Sequence, residues 1–136
     1  VVKAGAEMVV NLSASPWQVG KEAFRVRMIG AAARRHRVPM LYVNLVGGNV
    51  ELQFDGGSIA AGPEGLAFAP VQFAETLQIV DTAAPWRHEL VQLPVPERHA
   101  RAIVQGIRDY CDTLGLRRAV VGQPCRATDR PVQSQR

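Results

Sequence analysis

The stretch Glu7–Leu12 (EMVVNL) carries the apolar, β-branched content expected of a short buried strand. Gly5 just before it suits the cap that closes a helix, so Val1–Ala4 reads as a helix tail. Pro16 holds Ser15 extended and bends the chain away from the strand. From about Gly20 to about Arg35 the spacing predicts a helix, with Phe24, Met28, Ala31 and Ala32 on one face and Arg25, Arg34 and Arg35 away from it. Pro39 stops that helix. Met40–Val46 (MLYVNLV) predicts a second strand, buried on both faces by its composition. Strand, helix and strand in this order imply a right-handed crossover and parallel pairing.

After a turn at Gly47-Gly48 the texture changes. Glu51–Phe54 and Ser58–Ala61 read as short strands joined through Asp55-Gly56-Gly57, a hairpin signal. Pro63–Leu66 is a further turn and Leu66–Ala69 a returning strand, so the α/β unit passes into an antiparallel meander. Leu77–Val80 is a strand candidate, and Asp81–His88, with Pro85 and Trp86, reads as a linker or an arm across another surface. A second helix is predicted from Glu97 to about Leu114, with Ile103, Ile107 and Tyr110 as its apolar positions and Gly115 as its stop. Arg118–Gly122 (RAVVG) then predicts a strand, and the sequence beyond Gly122 has no periodicity and is expected to be disordered.

The 136 residues leave room for about one domain, and 47% hydrophobic with 21% charged content is that of a soluble globular chain. No apolar run approaches the roughly 20 residues of a membrane helix. Val1 is not an initiator Met and no signal segment follows it, which reads as a cut within a longer, cytoplasmic protein. Cys111 and Cys125 are too far apart for a Cys-x-x-Cys motif, and His36, His88 and His99 are scattered, so no metal is expected. The net charge of +4 raises nucleic acid as a partner. Yet 14 of the 16 basic residues are Arg, which fits coding bias, and the cluster Arg34-Arg35-His36-Arg37 ends a helix where cations favour the dipole. It has no interleaved aromatic residue for base stacking, so neither nucleic acid nor a membrane is expected as partner.

Two segments carry candidate chemistry. In Asn11–Lys21 (NLSASPWQVGK) a strand ends, the chain bends at Ser15-Pro16 and a helix begins near Gly20. Free N–H donors at a helix start attract carboxylates, whereas Lys21 there opposes the dipole; this points either to a bound anion or to an exposed lysine in a polar loop. In Tyr42–Ser58 (YVNLVGGNVELQFDGGS), Asn44 lies inside a buried strand and its amide needs partners, most simply loop backbone. Asp55 before two glycines is expected to bond its own backbone in a tight turn, with an acid/base pairing to Glu51 as the weaker reading.

Taken together, NxSxSPWxxGK and, about 20 residues later, YVNLVGGxxELxFDGGS closely resemble the amidase domain of glutamine-dependent NAD synthetases, in the nitrilase superfamily. The resemblance runs from about Ala4 to Pro70 and resumes at Ala102–Gly122 (AIVQGIRDYCDTLGLRRAVVG), similar to the opening of the family's ATP-using synthetase domain. It implies an α/β fold: part of a nitrilase-like α-β-β-α sandwich over residues 1–72, a connector over 73–96, and the first helix and strand of an ATP-pyrophosphatase-type domain over 97–122. Residues 123–136 form an unmatched tail.

The resemblance also implies the chemistry. A Glu-Lys-Cys triad releases ammonia from glutamine through a thioester, and ATP with magnesium drives amidation of deamido-NAD. Ser15 and Lys21 match the family's Ser and basic residue that hold glutamine, while Tyr42–Gly48 and Phe54–Ser58 match blocks taken as architectural. Homo-oligomers are the family expectation. The triad is not in this chain; neither Cys111 nor Cys125 is read as a nucleophile, and the chain alone is expected to be inactive, or a non-catalytic remnant or assembly piece. Val50 stands where the family has an acidic residue. Gln123-Pro124-Cys125-Arg126 replaces the Ser-Gly-Gly-x-Asp-Ser loop whose N–H groups cradle pyrophosphate, so no ATP binding is expected here.

Overall fold

A computed structural model describes residues 2–49, 51–90 and 93–122. After a short 3-10 turn at Val2–Ala4 come β1 (Val9–Ser13), α1 (Lys21–His36), β2 (Met40–Asn44), β3 (Val46–Asn49), β4 (Leu52–Asp55), β5 (Ile59–Ala61) and α2 (Val95–Leu114). The strands form a three-stranded sheet in the order β1-β2-β5 and a separate two-stranded sheet of β3 and β4. Parallel pairing of β1 with β2, from Val9↔Met40 to Ser13↔Asn44, follows the sequence expectation. Gly5 closes the first turn by donating its N–H to the Val2 carbonyl at 2.9 Å.

Helix α1 lies on one face of the larger sheet. Ile29 and Ala33 meet Tyr42, Ile59, Ala61 and Leu66 in the main apolar core, and small side chains at Ala33 and Ala61 let helix and strands approach closely. The predicted helix face is therefore corrected. Phe24 and Met28 are exposed, whereas Glu22, Arg25, Ile29, Gly30 and Ala33 are buried. The spacing alone puts Arg25 outside, but its partner Asp55 lies in the core. The sheet's opposite face is open on the β1 side: Val10 and Leu12 of β1 and Val43 of β2 are exposed, while Ala60 of β5 is buried on that face, so the expected burial on both faces of β2 is not met by the described residues.

Gly47-Gly48 is not a turn but the middle of β3, and the hairpin pairs β3 with β4 rather than β4 with β5. Strand β5 instead returns antiparallel beside β2. Glycine at position 48 answers a packing need: a Cβ there would meet the Gln53 amide at 3.0 Å and Asp109 at 3.3 Å. Leu66–Ala69 makes isolated bridges to Ala61 and His88 instead of a strand, and Leu77–Val80 and Arg118–Gly122 are not strands. The 81–88 segment is an arm: Leu66 and His88 exchange backbone hydrogen bonds, and Trp86 is buried, its indole N–H donating to the Asp81 carbonyl at 2.8 Å.

Helix α2 begins earlier than expected, at Val95, and ends at left-handed Gly115 as predicted. It docks through a stripe beside the expected apolar one. Ile103, Ile107 and Tyr110 are exposed. Arg98 contacts Glu22 at 3.5 Å, Gln105 donates to the Phe54 carbonyl at 3.2 Å, and Asp109 accepts the Gly48 N–H at 2.5 Å. Both stripes recur at the same helical spacing. Polar partners in β3, β4 and α1 decide between them. The tail beyond Gly122 and the Val50 position lie outside the described residues.

Candidate functional site

The parallel strands β1 and β2 end side by side at Ser13 and Asn44, and the chain leaves β1 there to enter α1. In open α/β sheets, ligand groups collect at such carboxyl ends of parallel strands. Ser15 and Lys21 bracket this strand-to-helix turn. Lys21 is the first residue of α1, which begins after left-handed Gly20 without a side-chain cap. The Lys21 ammonium folds back and donates to the Pro16 carbonyl at 3.0 Å, which offsets its unfavourable place at a helix start. The turn is tied elsewhere by the Trp17 N–H, which donates to the Gln53 carbonyl at 2.6 Å, and by Trp17 stacking edge-on with Phe73 and His99.

Asn44 finds the loop-backbone partners that its burial required. The Ser15 N–H donates to Asn44 Oδ1 at 2.8 Å, and Asn44 Nδ2 donates to the carbonyls of Ser15 at 3.3 Å and Gly56 at 2.9 Å. Asp55 departs from expectation. Its side chain is fully buried, and its carboxylate accepts from Arg25 Nη2 at 2.7 and 2.5 Å and from Gln72 Nε2 at 2.7 Å, not from its own turn. Burial alone would lower the Arg25 pKa, but hydrogen bonding and charge from Asp55 outweigh it and raise it. Glu51 is exposed and apart from this cluster, so the acid/base pair is not formed.

Ser15 and Lys21 line none of the main clefts of the described residues. The largest of these, about 430 Å³, lies beside the turn between Trp17, Gln53 and the α2 residues Ile103, Gly106, Ile107 and Tyr110. Sequence reasoning missed Trp17, Arg25 and Gln53 as organisers of this region. The Trp in the motif was the available signal; the two polar residues gave none without their partners. Among the described residues no group of three or more His, Cys, Asp or Glu side chains could hold a metal ion, and no helix is long and apolar enough to cross a membrane.

A mixed α/β fold, with a polar turn at the carboxyl ends of two parallel strands, thus defines the class of protein. No protein-family model matches the chain. Curated glutamine-dependent NAD(+) synthetases do. That of Synechocystis sp. is 36% identical over 130 residues, covering 90% of this chain and 23% of the relative. The Rhodobacter capsulatus protein is 35% identical over 127 residues, 88% of this chain and 23% of the relative. The solved glutamine-dependent NAD+ synthetase of Acinetobacter baumannii, in complex with adenosine diphosphate, superposes with a TM-score of 0.70 at 28% identity, covering 84% of this chain and 23% of that one. The chain belongs to the glutamine-dependent NAD(+) synthetase family, and it spans 23% of the length of the first two relatives.

Proposed function

We propose that this chain supplies part of the glutamine-handling unit of a glutamine-dependent NAD(+) synthetase, with Ser15 and Lys21 on the wall that holds glutamine. The observation that carries the reading is the clamped Ser15 beside the lysine that opens α1. A helix start with free N–H groups and an ammonium suits the glutamine α-carboxylate, and a serine hydroxyl suits its polar atoms. On this reading residues 1–72 are the C-terminal part of a nitrilase-like α-β-β-α sandwich, residues 73–96 connect, and residues 97–122 open the synthetase domain. The open apolar face of β1 and β2 accords with a sandwich whose other sheet lies elsewhere in the longer relatives.

The nucleophile is not assigned to this chain, so it does no hydrolysis alone. Elsewhere in the relatives' length, a thiolate would attack the glutamine amide and expel ammonia for ATP-dependent amidation of deamido-NAD. The described residues offer no ligand cluster for magnesium, and no step is routed through ATP here. A second reading, a non-catalytic assembly piece that pairs with other chains or with copies of itself, is favoured by the exposed Ile103, Ile107 and Tyr110 of α2.

The test is a chimera of the Synechocystis relative carrying residues 4–70 of this chain in place of its matching segment. NAD formation is measured with glutamine and with ammonium. Glutamine-dependent activity is expected, and Lys21→Ala should raise the glutamine KM at least about tenfold, one charge-assisted bond's worth, with the ammonium rate unchanged. A chimera active with ammonium but not with glutamine would favour the assembly reading.

A further inference from the structure

We infer that Asn44 is the positioning residue for Ser15, its carboxamide setting the direction of the Ser15 hydroxyl while binding no ligand itself. This deepens the glutamine-wall reading above and rests on it. Asn44 is the last residue of β2 in register with β1, opposite Ser13. The parallel ladder cannot run much further, since Pro16 has no N–H to offer. At that point the Asn44 side chain takes over the role of a strand. It accepts the Ser15 N–H at 2.8 Å and returns a bond to the Ser15 carbonyl at 3.3 Å, gripping both sides of one residue.

A carboxamide has two N–H donors and two acceptor positions. Here all of them are used within the chain, because Asn44 Oδ1 also accepts from the Tyr42 hydroxyl at 3.3 Å and Nδ2 also donates to the Gly56 carbonyl at 2.9 Å. That census fixes the amide orientation: a flipped group would set an NH₂ against the Ser15 N–H. It also excludes direct substrate contact, since no bond is left to give. Asn44 is 7% exposed.

The clamp links the two residues of the proposed wall. Gly56 follows Asp55, Asp55 is held by Arg25, and Arg25 lies on the helix that Lys21 begins. Ser15 and the start of α1 are thus referred to one buried frame, which holds the backbone that carries the hydroxyl and the backbone that carries the ammonium. Positioning of this kind acts on affinity for the ligand without touching it.

The test uses the full 136-residue chain, labelled with ¹⁵N and ¹³C. A through-hydrogen-bond coupling between the Ser15 amide nitrogen and the Asn44 carboxamide carbon is expected in the unmodified chain, and its absence overturns the proposal without any variant. In Asn44→Ala the Ser15 amide should exchange at least tenfold faster while the Val9 amide, which donates to the Pro39 carbonyl at 3.0 Å, keeps its rate, and the response to L-glutamine should weaken severalfold. Ser58→Ala, which removes the acceptor of the Asn44 backbone N–H at 3.1 Å, loosens the same strand but should leave the Ser15 rate within twofold. Equal Ser15 exchange in Asn44→Ala and the unmodified chain overturns the positioning role. A loosened Ser15 amide with no glutamine response in the unmodified chain instead overturns the glutamine-wall reading, and with it the proposal.

Discussion

Arg25 of α1 places its Nη2 at 2.7 and 2.5 Å from the two carboxylate oxygens of Asp55, 30 residues further along the chain, and both side chains are buried. The pair pins the helix to the turn that follows β4. Taking both charges out of water is costly, so its net stabilisation is modest, but removing one partner strands the other. Arg25→Met should therefore cost about 3–5 kcal/mol in denaturant unfolding. A loss below about 1 kcal/mol, the scale of a surface pair, would show that the pair is open to solvent.

Glu22 and Arg98 join α1 to α2 at 3.5 Å. Burial raises the Glu22 pKa above its ordinary 4.5, Arg98 pulling it back and the Asp55 charge adding to the rise. The folded state thus binds a proton more tightly than the unfolded one between 4.5 and the folded-state pKa, and stability falls as pH rises through that window. Relative to Glu22→Gln, the unmodified chain should be most stable at the acid end and lose ground toward neutrality. Urea unfolding across that range checks it, and a difference that is flat or grows with pH would contradict the assignment.

Gly56 and Gly57 both take left-handed backbone angles, φ 63° and 61°. An alanine in that region costs roughly 1–2 kcal/mol. At position 57 its Cβ would find ordinary contacts, the nearest at 3.5 Å, but at position 56 it would press on Val46 at 3.3 Å. Gly56→Ala should therefore destabilise more than Gly57→Ala in thermal unfolding. The reverse order would mean that the Val46 side chain yields freely.

Leu12, 79% exposed, stands opposite Val43 in the β1–β2 register, on the sheet face that the described residues leave open. With β1 also at the sheet edge, the chain alone should associate at concentrations of about 10–100 μM. Replacing the pair by Leu12→Glu with Val43→Lys should shift sedimentation toward the monomer. A monomeric unmodified chain across that range would speak against an uncovered face.

The unit β1–α1–β2 was legible because its strands are concentrated apolar runs and its helix is bounded by Gly20 and Pro39. The partners of Asn44 were legible for a stricter reason: a buried amide must bond, and the nearest supply was loop backbone. The helix faces were not. Charge on Glu22, Arg25 and Arg98 argues for solvent until Asp55 and the facing helix are placed, and neither is near in sequence. Gly47-Gly48 misled similarly, since the space these residues leave is used by Gln53 and Asp109 from other elements. Ser15 and Lys21 are candidates through motif resemblance alone, whereas the Trp17 stacking and the Arg25 frame emerge only in three dimensions.

The proposed glutamine-holding role of the Ser15–Lys21 turn is tested most directly by titrating the labelled full chain with L-glutamine and following its amide resonances. The expected result is a saturable shift centred on residues 15–21, with an affinity in the range of about 1–10 mM, the scale of a few bonds from part of a pocket. Ser15→Ala and Lys21→Ala should each weaken it severalfold, with unfolding midpoints unchanged. Shifts centred elsewhere, or unaltered by both substitutions, would contradict the account.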